Sequence, residues 1–363
     1  MRGLILAGEE LEPIPGYVVV ESGLIREVVE TRNCRAKALV MPGLINCHTH
    51  IGDYRFKDMG MHLSLDELVK SPSGLKHVLL RRAKPEELVA GMSAAENEMV
   101  ACGTTSFLDF REQGLPGVLL FREAIRKIRG LAYGRPKGAE ADLFQETSEI
   151  LRVADGIGLD RVTAYSDEGL KEIRRAASKS RVAVHVLEAR WRPGEIERAV
   201  ESLDADILVH LTHAKPGEIR TIADRGKKAA VCPRCNFSLG LGLPPIDRLL
   251  HEEVEFGLGT DNCMISSPNL FREMEMALAI MKDKRPRDVL KMATSAAAKV
   301  AGIWPQRGAI EEGKAADLVV LQRRKTMSYA NDVHAAIVKR AGPENVALVV
   351  KDGRIILDGR KGG

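Results

Sequence analysis

Residues 41–50 read MPGLINCHTH and continue the apolar run that starts at Ala38, so they predict the end of a buried β-strand. Side chains alternate along a strand, and His48 and His50 therefore point to the same side while Thr49 points away. Two converging imidazoles suit a divalent transition metal, because zinc binds the neutral nitrogen of histidine. A single His-x-His motif is weak evidence by itself, so the metal hypothesis depends on the rest of the chain.

Three later segments have the same construction, an apolar run that ends in polar residues. They are VAVHVLE at 182–188, ILVHLTH at 207–213 and FGLGTDN at 256–262. The polar residues lie where each strand passes into a loop, and a parallel barrel displays its catalytic groups at those strand ends. Each one alone could be a strand cap or a hydrogen-bonded core histidine. Four such ends in one chain together predict a metal site.

The middle of the chain alternates strand-like runs with helical patterns, which predicts a parallel α/β architecture. We expect helices over Pro85 to Cys102 and Pro286 to Ala301. The stretch from Ile51 to Arg82 is long for a strand-to-helix loop and is therefore expected to be functional. Eight candidate strands indicate a TIM (β/α)8 barrel over residues 42–304. Their predicted ends lie near Cys47, Phe110, Tyr133, Asp155, His185, His210, Val231 and Gly259.

The composition is that of an ordinary globular protein, with 363 residues of which 45% are hydrophobic and 29% charged. The net charge of +4 is spread over interspersed acidic and basic residues, which argues against a nucleic-acid partner. No stretch reaches the ~18–20 apolar residues of a membrane span, and the N-terminus lacks the features of a signal peptide. We therefore expect no membrane partner and a cytoplasmic location, where the six cysteines stay reduced. Few glutamines and many arginines hint at a thermophilic source.

Six motifs give the chain a family resemblance that covers almost its whole length. They are PGLINCHTH, CGTTSFLDF, HVLE, LVHLTH, GTDN and the C-terminal MATSAAAKVAGIWPQRGAIEEGKAADLVVL. The chain resembles the amidohydrolase superfamily, in the branch that holds the cytosine, guanine and S-adenosylhomocysteine deaminases and the triazine hydrolases. The resemblance implies that residues 1–41 and 305–363 pair into one composite β-sandwich domain. Asp352-Gly353 between two β runs supports a hairpin in that domain.

The resemblance also implies one divalent transition metal, for which zinc is favoured over iron, nickel and manganese. The implied ligands are His48, His50, His185, His210 and Asp261. His213 is the alternative to His210 as the site residue at the end of the sixth strand. A binuclear relative would need a carboxylated lysine at the end of strand four, where residues 153–158 hold none. Lys137 lies nearby after strand three, so a second metal is disfavoured but stays open.

The spacing His185-x-x-Glu188 is the deaminase signature of this branch and places a carboxylate just beyond a ligand. A divalent metal lowers the pKa of bound water towards ~7, and Glu188 would take that proton and deliver it to a ring nitrogen. Asp261 would orient the hydroxide and pass a proton to the departing ammonia. His210 or His213 would stabilise the developing oxyanion. The alternative for Glu188 is a salt bridge to a nearby arginine.

Several further polar residues are candidates for substrate binding. Asn262 follows Asp261 directly, and Arg234 and Asn236 lie in CPRCN, where Cys235 replaces the serine of relatives. Those two could instead cap the strand, and Arg111 could form a buried ion pair. For His62 and His77 in the long first loop we expect exposed positions, with substrate contact as the alternative.

These residues together indicate a mononuclear metal-dependent deaminase. It would release ammonia from an amino-substituted heterocycle, a nucleobase or nucleoside, by attack of metal-bound hydroxide. Hydrolysis of another C–N or C–Cl bond, in a cyclic amide or a triazine, is the alternative. A non-catalytic barrel scaffold is a remote third hypothesis, because such proteins usually lose metal ligands that are all present here. The expected partners are a small-molecule substrate and further copies of the chain, in a homodimer or a larger oligomer.

Overall fold

The computed structural model describes residues 1–31, 38–70, 72–137, 142–323 and 325–360. In chain order the strands are β1 Arg2–Ala7, β2 Glu12–Glu21, β3 Leu24–Glu30, β4 Ala38–Pro42, β5 Leu44–His50, β6 Thr104–Arg111, β7 Arg129–Gly134, β8 Gly156–Leu159, β9 Arg181–Val186, β10 Ile207–His210, β11 Lys228–Val231, β12 Phe256–Leu258, β13 Asp261–Asn262, β14 Leu318–Gln322, β15 Val346–Lys351 and β16 Arg354–Asp358.

The helices that pack around these strands are mostly short. They are α1 Leu65–Val69, α2 Leu75–Arg82, α3 Pro85–Ala101, α4 Gly114–Ala124, α5 Leu143–Ile150, α6 Asp167–Ala176, α7 Glu195–Glu197, α8 Pro216–Asp224, α9 Pro233–Ser238, α10 Ile246–His251, α11 Leu270–Ile280, α12 Pro286–Lys291, α13 Ser295–Ala301 and α14 Val333–Arg340. Within the described ranges, no helix is long and apolar enough to cross a bilayer.

Strands β5 to β13 form a parallel sheet in the order β12-β11-β10-β9-β8-β7-β6-β5-β13. Only Gly259 and Thr260 separate β12 from β13, and β13 pairs with β5 through Asp261 opposite Thr49. The last strand of the barrel therefore returns to the first, and the sheet curls around its own core. This arrangement agrees with the TIM barrel predicted from the alternating pattern.

Two of the predicted elements differ from the structure. The fourth barrel strand was expected to end near Asp155, but β8 begins at Gly156. Asp155 instead anchors the start of that strand, because its carboxylate accepts a hydrogen bond from the backbone N–H of Ala132 at 2.8 Å. The helix expected over 286–301 is divided into α12 and α13, while α3 begins at Pro85 as predicted.

The two chain ends pair with each other in one seven-stranded sheet of order β16-β15-β14-β4-β1-β2-β3. Asp352 and Gly353 link β15 to β16 with φ of 49° and 75°, which confirms the predicted hairpin. The pairing joins all seven strands in a single sheet, and a two-layered sandwich stays a prediction. Only Gly43 separates β4 from β5, so the chain passes directly from this sheet into the barrel.

The described residues between β5 and α3, 51–70 and 72–84, lie over the end of the barrel and are called the covering segment below. The segment holds a 3-10 helix, Ile51–Phe56, followed by α1 and α2. The side chain of Ser64 caps α1, and the Ser64 backbone N–H donates to Glu67 Oε2 at 2.9 Å. The described residues of the covering segment therefore include three short helices, of which α1 has a complete capping box.

The cysteines of the described residues are free thiols. Five of them, Cys47, Cys102, Cys232, Cys235 and Cys263, are buried and unpaired, and Cys34 lies outside the described residues. Burial raises the pKa of both Cys232 and Cys235, so these thiols stay protonated near neutral pH. The C-x-x-C motif is accordingly part of the core, where α9 begins after β11.

Candidate metal centre

His48 and His50 lie at the end of β5, where the alternation of the strand brings both imidazoles to the barrel axis. Both residues are buried. Gly259 leaves the room that His48 needs, since a Cβ atom at position 259 would lie 2.6 Å from the Cβ of His48. A glycine between β12 and β13 thus allows the first strand of the barrel to present its histidine.

These two histidines meet His185 from β9 and Asp261 from β13. His48 Nε2 lies 3.2 Å from Asp261 Oδ1 and 3.2 Å from His185 Nε2. His50 Nε2 lies 3.3 Å from His185 Nε2 and 3.6 Å from Asp261 Oδ1. Three nitrogens and one carboxylate oxygen, from three different strands, therefore converge on one small volume.

The hydrogen bonds on the far sides of the rings show that this volume suits a cation. His185 Nδ1 donates to the carbonyl of Leu159 at 2.9 Å, and His50 Nδ1 donates to Glu112 Oε1 at 2.8 Å. In the neutral rings the Nε2 atoms then carry lone pairs, and two lone pairs face each other at 3.3 Å. A divalent metal between them would remove that repulsion, so the residues fit the metal that the sequence predicts.

The protonation states are those that a metal site requires. Burial lowers the pKa of His48 to about 3, although the hydrogen bond to Asp261 opposes the shift. Burial likewise lowers the pKa of His185 well below its usual range. Burial opposes ionisation of Asp261, yet the hydrogen bond from His48 and the nearby histidines hold its pKa well below the usual value. Neutral imidazoles and an ionised carboxylate are the ligand forms of these side chains.

His210 and Glu188 stand together at the edge of this cluster. His210 Nδ1 lies 3.3 Å from Asn236 Oδ1, which fixes the ring, and its Nε2 lies 3.6 Å from Glu188 Oε1. The Glu188 side chain is 22% exposed, and desolvation raises its pKa. A carboxylic group with a raised pKa beside a metal site is suited to carrying a proton near neutral pH.

The backbone around the cluster is strained at several non-glycine residues. Positive φ angles occur at Leu187, His210, Leu211 and Asp261, with values of 49°, 76°, 53° and 59°. Such conformations are rare outside glycine and concentrate at functional sites. They turn the chain sharply at the ends of β9 and β10, so that the side chains of Glu188 and His210 face the cluster.

A pocket leads from solvent to the cluster and encloses about 830 Å³, including its open mouth. Its floor holds His50, His185, His210, Asp261 and Glu188. The covering segment forms one wall, and the loops after β8 and β9 form the other. The wall residues include Leu65, Asp66, Val69, Lys70, Lys76, His77, Asp160, Arg161, Leu187, Arg190, Arg192 and Glu195.

The structure places the other predicted residues at varied distances from this pocket. Asn262 lines it, whereas Asn236 lies behind His210. Arg111 is buried in an ion pair with Asp109 at 3.0 Å, the alternative considered for it. The backbone N–H of Arg234 donates to Glu273 at 2.8 Å, and its guanidinium bonds the carbonyl of Ser267, so it faces away.

The other three candidate histidines, His62, His213 and His77, differ in exposure and in their relation to the pocket. His62 is exposed on the covering segment, as expected. His213 is not among the residues that line the pocket, and its backbone N–H donates to the carbonyl of Leu187 at 3.0 Å. His77 was expected to be exposed but is buried in the pocket wall, because its Nε2 donates to the carbonyl of Val69 at 2.9 Å.

Sequence reasoning missed Lys76, Arg161 and Glu195, which all line the pocket. Lys76 and Glu195 lie on helices α2 and α7, and Arg161 follows the short strand β8, so none of them ends an apolar run that the sequence pattern marks. At the end of β8 the chain continues with Asp160 and Arg161 rather than lysine. Lys137 is exposed, and its backbone N–H donates to Glu146 at 2.8 Å.

A curled parallel barrel with a His and Asp cluster at one end is an arrangement suited to binding a divalent metal. The chain belongs to the amidohydrolase family, whose sequence model matches residues 39–356. It is therefore an enzyme of the class that hydrolyses carbon–nitrogen bonds other than peptide bonds.

Two curated relatives match nearly the whole chain. A Methanothermobacter thermautotrophicus protein, provisionally named an aminohydrolase, is 32% identical over 387 aligned positions that cover 98% of each chain. The 5-methylthioadenosine/S-adenosylhomocysteine deaminase of Thermococcus onnurineus is 29% identical, with 98% of this chain and 93% of that protein covered. Both relatives come from thermophilic archaea, in agreement with the composition.

A solved structure confirms the fold. The adenosine deaminase of Xanthomonas campestris with bound zinc superposes with a TM-score of 0.81 at 23% identity. The superposition covers 94% of this chain and 88% of that structure. At this identity the likeness establishes the barrel architecture, and the bound zinc is a property of that protein.

Proposed function

We propose that the protein is a mononuclear zinc deaminase that hydrolyses an amino-substituted heterocycle, a nucleobase or nucleoside, to the hydroxy product and ammonia. The observation that carries the proposal is Glu188, which faces the cluster of His48, His50, His185 and Asp261 from the pocket side. A carboxylic group in that place can move protons between water and substrate. Without Glu188, the ligand cluster would have no carboxylic group on the pocket side to carry a proton from water to the ring nitrogen.

The metal would be held by His48, His50, His185 and Asp261, with His210 beside them as a further ligand or substrate contact. A divalent ion in that place supplies Lewis acidity, which lowers the pKa of a water molecule to ~7. Zinc accepts this mixture of imidazole nitrogen and carboxylate oxygen.

Glu188 performs the main proton transfer in this proposal. Its carboxylate takes a proton from the attacking water, and the raised pKa lets it keep the proton until a ring nitrogen of the substrate accepts it. Protonation of that nitrogen makes the adjacent carbon electrophilic, and the hydroxide left from the water forms a C–O bond to that carbon. Asp261 then takes the remaining proton of the added hydroxyl group and passes it to the amino group, which leaves as ammonia when the C–N bond breaks.

The covering segment and the facing loops would hold the heterocycle over the cluster. Leu65 and Val69 supply apolar contact, while His77 and Asn262 supply polar edges. The Thermococcus relative is named for two 6-aminopurine nucleosides, so such nucleosides come first among the candidates. His213 and His62 do not line the pocket, and we propose no substrate contact for them.

The experiment is ammonia release by the zinc-loaded protein, warmed to suit its thermophilic relatives. The panel holds cytosine, guanine, adenine, adenosine, 5′-methylthioadenosine, S-adenosylhomocysteine and an aminotriazine. Release from one class supports the proposal and identifies the substrate group. Silence across the panel, from protein that holds zinc, would contradict deamination, and cyclic amides and chlorinated triazines would be assayed next.

A further inference from the structure

Lys76 lies on α2 of the covering segment, and its side chain is only 3% exposed. Its ammonium donates to Glu112 Oε1 at 2.5 Å and to Asn262 Oδ1 at 2.8 Å. Asp53 Oδ2 lies 3.6 Å away. A buried ammonium costs free energy unless it is paired, and these three acceptors supply its partners.

Each of the two close acceptors contacts a candidate metal ligand. Glu112 Oε1 also accepts from His50 Nδ1 at 2.8 Å, and Asn262 Nδ2 donates to Asp261 Oδ1 at 3.2 Å. Lys76 is therefore the branch point of two short chains of hydrogen bonds. One chain ends on the first barrel strand and the other on the last.

Two barrel residues, Arg111 and His50, and one residue of the covering segment, Lys76, hold the Glu112 carboxylate. Arg111 binds the second oxygen of Glu112 and also pairs with Asp109 Oδ2 at 3.0 Å. The first oxygen is shared between His50 and Lys76.

We propose that Lys76 is a positioning residue of the metal centre, through which the seated covering segment fixes the orientation of both His50 and Asp261. The metal site is then complete only while the pocket wall is in place. This inference rests on the metal site of the proposed function but not on its substrate.

The test is the affinity of the metal-free protein for Co²⁺ alone, measured by competition with a chromophoric chelator, together with the visible spectrum of the Co²⁺ complex. Mutation of a residue that hydrogen-bonds a metal ligand typically lowers metal affinity by about 10–100-fold. Lys76→Met should weaken Co²⁺ binding by about that factor and shift the spectrum. Lys76→Gln, which keeps a donor for both acceptors, should show a smaller loss.

Arg82→Met is the matched control. Arg82 is an exposed cation on the same helix and does not line the pocket, so its variant should keep the parent affinity and spectrum. If Lys76→Met fails to fold, the decision rests on Lys76→Gln measured against Arg82→Met.

A double variant separates positioning from simple stability. Lys76→Met leaves the charge of Glu112 without its ammonium, and Lys76→Met/Glu112→Gln removes that charge as well. The double variant should recover part of the melting temperature of the metal-free protein while Co²⁺ affinity stays low. Parent-like affinity and spectrum in folded Lys76→Met would overturn the inference. Normal metal binding without ammonia release would instead contradict only the proposed deamination.

Discussion

Glu188 is the residue on which the proposed chemistry depends. Glu188→Gln keeps the shape of the side chain but cannot accept a proton, so turnover should fall by ~10²–10⁴ while zinc content is unchanged. His48→Ala should instead lose zinc, and turnover as a consequence, because it removes a nitrogen from the centre of the cluster. Zinc analysis and ammonia release on the same preparations distinguish the two.

Glu197→Gln serves as the control for this pair, because Glu197 is exposed nearby in α7. It should match the parent in both measurements. A fully active Glu188→Gln would show that another group carries the proton.

A second prediction at this scale concerns Glu273, which is fully buried on α11 and contacts Arg234. Burial raises its pKa to about 7 from the usual 4.5. Stability from the protonated carboxyl is therefore present below pH 4.5 and is lost as pH rises through about 7. Glu273→Gln should raise the melting temperature of the metal-free protein more at pH 8 than at pH 5.

The comparison for that variant is Glu275→Gln, since Glu275 is exposed on the same helix. Its effect should be small at both pH values. An equal shift at pH 5 and pH 8 for Glu273→Gln would mean that ionisation of this carboxyl does not limit stability.

The residues of the candidate centre were predictable where strand periodicity fixes them. His48 and His50 follow from the two-residue alternation, and His185, His210 and Asp261 follow from apolar runs that end in a polar residue. Lys76 was not predictable, because the path of the covering segment depends on packing against the barrel. Asn236 and Arg234 were placed near the correct strand, but their directions depend on local turns.

At the scale of elements, Gly43 is the single residue between the end-strand sheet and the barrel. A Cβ atom there would lie 2.2 Å from Thr105 Oγ1, on the neighbouring strand. Gly43→Ala should therefore cost about 1–3 kcal/mol in the free energy of unfolding, measured by urea denaturation. Gly217→Ala, in α8 with no heavy atom within 4 Å, should stay within about 1 kcal/mol of the parent. Equal stability of the two variants would contradict the close approach.

The elements that sequence reasoning misplaced are short ones. β8 has four residues and follows α5 closely, so its apolar run is too brief to locate by pattern. The helix predicted over 286–301 breaks at Thr294, where φ is −135° and ψ is −96°. That break depends on tertiary contacts, whereas α3 has a proline at its start and was predicted correctly.

At the scale of the whole molecule, the candidate ligands come from β5, β9 and β13. The pairing of β13 with β5 closes the barrel, so a metal bound by these ligands would link the strands on both sides of that closure. A metal that binds only the folded chain stabilises it, by about 2.7 kcal/mol when free zinc is 100 times its dissociation constant. Chelation should therefore lower the melting temperature, and added zinc should restore it. Added zinc should not raise the melting temperature of His48→Ala. If chelation leaves the melting temperature of the parent unchanged, that result would contradict a metal site in the folded protein.

The most direct test of the account measures bound zinc and released ammonia on one preparation of the parent protein. We expect one zinc per chain and ammonia from one group of amino-substituted heterocycles, with ammonia release lost and zinc kept in Glu188→Gln. Two zinc ions per chain, or one zinc with no ammonia from any member of the panel, would contradict it.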